Sequence, residues 1–141
     1  MIKLIRTSLI LLCMGISSGQ VSAGSIIVSP DVQLTSVDSA FLVSVFSMRV
    51  TRWQNGTPIR VFVYSDRDSE HYHFVKKHLR IFPYQLRNIW DRAVYTGTGE
   101  APREVKDAIQ MLESIRTTKG AIGYIADDEV TMEGVRVIDE Y

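Results

Sequence analysis

Apolar and polar residues along this chain fall into short continuous apolar runs separated by stripes of helical spacing. Ser25-Ile-Ile-Val-Ser29 predicts a first strand, closed by Pro30, which has no amide to offer a ladder. Thr35 or Ser36 then caps a helix with Asp38 in its first turn, where a carboxylate meets the positive end of the helix dipole. Val37, Ala40, Phe41, Ser44, Val45 and Met48 keep helical spacing behind that cap. Gln54-Asn-Gly-Thr57 is a turn, since Asn-Gly accepts positive φ readily, and it leads into a strand over 59–64. That strand is apolar on both faces near its end, which predicts a central place in its sheet.

After a polar run over 65–70, Phe74, Val75, His78 and Phe82 mark a second helix that ends before Pro83. Leu86, Ile89, Trp90, Ala93 and Val94 form the clearest stripe, a third helix stopped near Gly97. A fourth helix begins at Pro102 and carries Val105, Ala108, Ile109, Leu112 and Ile115. Short β runs follow over 121–125 and 135–138. Strands alternating with helices predict an α/β fold, a single open sheet flanked by helices.

The first residues stand apart from this pattern. Lys3 and Arg6 precede a short apolar stretch over 8–16, and Val21-Ser-Ala23 fits a small-x-small cleavage site. This reads as a secretory signal over 1–23, shorter than the ~20 apolar residues of a membrane span. Its removal leaves 141 − 23 = 118 residues, a single domain over 24–141, exported to the periplasm, soluble, and not inserted in a membrane. The one cysteine, Cys13, lies inside the signal, so disulfide and thiolate chemistry are excluded from the mature chain. The mature formal charge is 14 − 16 = −2, which is neither a nucleic-acid footprint nor a polybasic membrane anchor. No Ser/His/Asp, Cys/His or facing-carboxylate arrangement stands out. The chain reads as a non-enzyme with no cofactor.

Candidate chemistry centres on Ser65-Asp-Arg-Asp-Ser69, which joins the end of a central strand to the start of a helix. Ligands of open α/β sheets sit at the carboxyl ends of strands, and helix starts favour anions. Ser65 and Ser69 offer hydroxyl donors and Arg67 a planar fork for an oxyanion, while Asp66 or Asp68 accepts from a protonated one. The competing reading is a helix cap in which Asp68 or Ser69 satisfies free amides. Thr35 and Ser36 form a second candidate anion contact on the same helix-start argument, with capping again the alternative.

Other suggestive patterns lack the residues their chemistry requires. Asp66, Asp68 and Glu70 alternate like an EF-hand start, but His71 and Lys77 stand where Gly and Glu are required. His71, His73 and His78 are spaced poorly for one metal ion and read as solvated or edge-of-core histidines. Thr96-Gly-Thr-Gly99 follows a helix and lacks a Gly-Lys-Ser/Thr ending, so it is no nucleotide loop. Asn55-Gly-Thr57 explains itself as a turn without glycosylation, and Trp53 and Trp90 read as packing residues.

Several of these segments together resemble phosphate-type periplasmic substrate-binding proteins. Their second lobe runs through a Trp-bearing helix, an aromatic-Thr-Gly-x-Gly-x-x-Pro loop and a Gly-Ala-Ile-Gly-Tyr strand. Trp90, Tyr95-Thr-Gly-Thr-Gly-Glu-Ala-Pro102 and Gly120-Ala-Ile-Gly-Tyr124 stand here in that order. Upstream, Phe46-Ser-Met-Arg49 occupies the place of the family's Phe-x-Gly-Lys, followed by Trp53-Gln-Asn-Gly56. The resemblance implies one lobe of a type II periplasmic-binding-protein-like fold, and a solute-binding-like protein for phosphate or a related oxyanion in ABC-type uptake. It also implies a membrane-transporter partner, or completion of the site by a homodimer. In the family an Arg and a Ser-Gly-Thr-like cluster grip phosphate at the loop matched by 65–69. Here the Arg is shifted, and Glu70 and His71 follow Ser69. The alternative is a ligand-free protein-interaction adaptor that keeps the lobe fold.

Overall fold

A computed structural model describes residues 23–126 and 131–141, so the expected signal segment lies outside the described residues except for Ala23. The strands are β1 (Gly24–Val28), β2 (Arg60–Tyr64), β3 (Arg103–Val105), β4 (Ala121–Ala126) and β5 (Arg136–Glu140). They form one five-stranded sheet in the order β3-β2-β4-β1-β5. β2 runs parallel to β3 and β4, whereas β1 runs antiparallel to β4 and β5. β2, β3, β4 and β5 therefore end on one edge of the sheet, with β1 reversed among them. The strand expected over 59–64 is interior, as its apolar pattern requires.

Helices cover both faces. They are α1 (Ser39–Phe46), α2 (Ser69–Phe74) continued by a π turn (Val75–Leu79), α3 (Pro83–Tyr95) and α4 (Ala108–Thr117). Neighbours in a strand point to opposite faces. Gly123 faces α4, where a Cβ would come within 2.6 Å of the Met111 sulfur. Tyr124 faces the other layer, its ring stacked on Phe74 at 3.9 Å and tilted against Phe46 at 6.1 Å. Every residue of β1 and β4 is buried, because each strand lies between two helical layers. Trp90 of α3 completes the core by donating its indole N–H to the Phe46 carbonyl at 2.6 Å. Among the described residues no helix is long and apolar enough to cross a membrane.

Four expectations change. The first helix is capped by Asp38, whose carboxylate accepts from the Phe41 amide at 2.6 Å, so Thr35 and Ser36 lie outside it. The second helix widens into the π turn and stops at Leu79, short of Phe82. Pro102 does not start a helix. Residues 103–105 pair with β2 as an edge strand, and α4 begins after Asp107, which accepts from the Gln110 amide at 2.8 Å. His71, expected in solvent or at the rim of the core, is fully buried.

Met48 adopts a left-handed conformation that favours glycine, with φ at 61°. The helix end is closed as a glycine would close it, by Met48 N–H to the Val45 carbonyl at 3.0 Å and Arg49 N–H to the Ser44 carbonyl at 2.9 Å. A residue with a Cβ is disfavoured there by roughly 1–2 kcal/mol.

Candidate functional site

The segment 65–70 leaves β2 at the carboxyl edge, beside 106–107 after β3 and Tyr141 after β5. A tight turn sets it: Asp68 N–H donates to the Ser65 carbonyl at 2.9 Å, and Arg67 N–H to the Ser65 hydroxyl at 3.4 Å. Asp68 then caps α2, its carboxylate accepting from the Glu70 amide at 2.8 Å. Ser65 is half-buried, while Arg67 and Ser69 are exposed. Among the described residues the Arg67 guanidinium meets no carboxylate or hydrogen-bond acceptor.

The acids around Arg67 are occupied within the chain. Arg87 of α3 grips Asp66 through two hydrogen bonds, Nε and Nη2 each at 2.8 Å, which holds the Asp66 carboxyl below its ordinary range and raises Arg87. Glu70 accepts from the Tyr141 hydroxyl, and that phenol is pushed far up, first by burial and then by this bond. The expected acceptors for a protonated oxyanion, Asp66 and Asp68, are thus committed to Arg87 and to the helix start.

Beneath this surface lies a polar relay. Tyr64 N–H donates to the Tyr124 hydroxyl at 3.1 Å, and that hydroxyl lies 2.5 Å from His71 Nδ1. When the phenol donates to Nδ1, His71 carries its hydrogen on Nε2, which faces Asp66 Oδ1 at 3.5 Å. Burial pushes the His71 pKa down, against the pull of Asp66. His71 is therefore neutral and internal. Arg87, Tyr124 and Tyr141 carry no local sequence signal for these roles, since each contact is made across the fold.

Thr35 and Ser36 do not join this cluster. Their loop leaves β1 at the amino edge of the parallel strands, where Asp31 accepts from the Gly120 amide at 3.2 Å and Phe41 packs 6.3 Å from Trp53. Both residues are exposed there. At the carboxyl edge a shallow hollow of about 400 Å³ lies between the ends of β2 and β3, lined by Tyr64, Asp68, Glu70, Lys106 and Asp107. Arg67 stands on the open face outside it. The edge is thus a surface, not an enclosed pocket.

No protein-family model and no curated protein matches the sequence. Solved structures do. One described as a phosphate ABC transporter substrate-binding protein with bound phosphate, from Clostridium perfringens, superposes with a TM-score of 0.66 at 13% identity, over 83% of this chain and 44% of that one. An ABC-type phosphate transport receptor from Vibrio cholerae gives 0.63 at 16% identity, over 83% and 45%. PstS from Borrelia burgdorferi gives 0.61 at 12% identity, over 84% and 47%. This chain spans under half of each. What the likeness shows is the fold: the sheet and its helices are built as roughly half of a periplasmic substrate-binding protein is built.

Proposed function

We propose that this chain is a periplasmic, solute-binding-like protein that meets phosphate or a related oxyanion at its carboxyl edge, with Ser65, Arg67 and Ser69 as the contacts. The observation that carries the reading is Arg67, an exposed guanidinium at the mouth of α2 whose acidic neighbours are held by Arg87, Tyr141 and the helix start. Its planar fork suits a tetrahedral oxyanion, and Ser69 adds a hydroxyl from the first position of the helix. Asp68 remains nearby, bound to the helix start, and Thr35 and Ser36, at the opposite edge of the sheet, are not among these contacts.

An open face limits affinity. Exposed charge pairs contribute only ~0–1 kcal/mol each, because solvent screens them. Three contacts of this kind sum to at most ~3 kcal/mol, so binding is millimolar at best and far from the ~8 kcal/mol of micromolar affinity. Tighter binding needs a second surface to exclude water, supplied by another copy of the chain or a transporter component. Calorimetry with phosphate, sulfate and nitrate tests the proposal: a millimolar response that Arg67→Ala removes supports it, and equal silence toward all three anions rejects it.

One observation favours the second reading, a ligand-free adaptor. The Asp68 carboxylate already accepts from the Glu70 amide at the start of α2. On that reading the carboxyl edge docks a protein, and Arg67→Ala leaves partner capture unchanged.

A further inference from the structure

At the opposite edge, the end of α1, the start of β2 and the loop 96–101 border a half-open cavity of about 360 Å³. Small-molecule sites begin near ~300 Å³ and combine an apolar lining with a few polar groups. Met48, Val45, Ile59 and Val61 supply the apolar part here. Arg52, Arg60 and Arg103 also line it, against Glu100 as the acid among the lining residues, so the lining carries 3 − 1 = +2 charges.

Glu100 pairs with Arg60. Arg103 lies 6.0 Å from the Phe62 ring centre and, among the described residues, meets no carboxylate. Arg52 donates to the Gly56 carbonyl at 2.9 Å and is otherwise uncommitted among them. Met48, fixed by the closure of α1, forms the apolar floor beside these cations. A side chain is retained in a left-handed conformation that favours glycine, and its sulfur is overlaid by Gly99, where a Cβ would come within 2.8 Å. The Thr96-Gly-Thr-Gly99 loop thereby gains a role, with Thr98 and Gly99 forming one wall.

We propose that this cavity binds a small amphipathic anion, an aryl or short acyl body bearing one carboxylate or sulfonate. The body lies on Met48 and Val61, and the anionic group reaches Arg103 and Arg52. This site stands apart from the one at the carboxyl edge, so either can fail without the other.

Methyl NMR of the protein titrated with 1-naphthoate, and separately with uncharged 1-naphthalenemethanol, tests it. The expected result is a saturable shift of the Met48 methyl, with the acid binding about fivefold more tightly than the alcohol, the yield of one exposed charge contact. Arg103→Ala should lose about that factor, Thr51→Trp should block both probes, and inorganic phosphate should not compete. No saturable shift at Met48, equal binding of acid and alcohol, an unchanged Arg103→Ala, or competition by phosphate would each overturn the proposal.

Discussion

Arg87 holds Asp66 through two hydrogen bonds of 2.8 Å, and the carboxylate so held faces the buried ring of His71. The pair sits at the surface, with both side chains about a third exposed, so its direct worth is at most ~1 kcal/mol. Its larger effect is on His71. Arg87 disfavours a proton on that ring, while Asp66 favours one. Arg87→Ala should therefore raise the His71 pKa and cost about 0.5–1 kcal/mol of stability, read by histidine NMR titration and urea denaturation.

Acid should weaken the fold in two stages. His71 and His78 are both pushed below 6.5 by burial, so below that value the unfolded chain binds protons that the native one refuses. Stability is full above pH 6.5 and falls as pH drops through the histidine range, by up to ~1.4 kcal/mol per unit for each ring. Asp66, also lowered, adds a further loss below its ordinary 3.8. Denaturation between pH 7.5 and 5 checks the first stage, and His71→Gln should flatten the slope.

Met48 offers a test of backbone strain. In an ordinary helix Ala is favoured over Gly by ~1 kcal/mol, but at φ 61° the order should reverse. Met48→Gly should therefore be more stable than Met48→Ala by about 1 kcal/mol in matched urea melts.

Trp90 ties α3 to the end of α1 through a 2.6 Å bond and is almost wholly buried. Trp90→Phe keeps much of the packing but leaves the buried Phe46 carbonyl without its donor. A cost of about 1–3 kcal/mol is expected from thermal and chemical unfolding.

β1, β2 and β4 were legible because strands buried on both faces read as unbroken apolar runs. β3 was not, since Arg103-Glu-Val105 is a short edge strand with two exposed residues, and a preceding proline suggests a helix start instead. The first cap was ambiguous locally: Thr35, Ser36 and Asp38 all cap well, and the path of the loop decides among them. The place of 65–69 could be read from the strand-to-helix junction. What could not be read is the disposition of its charges, because Arg87 comes 21 residues after Asp66 and Tyr124 53 after His71. Those pairings exist only once α3 and β4 have packed beside α2.

The most direct measurement is amide chemical-shift mapping during a phosphate titration, with the oligomeric state followed by sedimentation. Millimolar, saturable shifts confined to 65–71, absent in Arg67→Ala and silent at Thr35 and Ser36, are the expected result. Micromolar binding by a monomer, or shifts that persist undiminished without Arg67, would contradict the account.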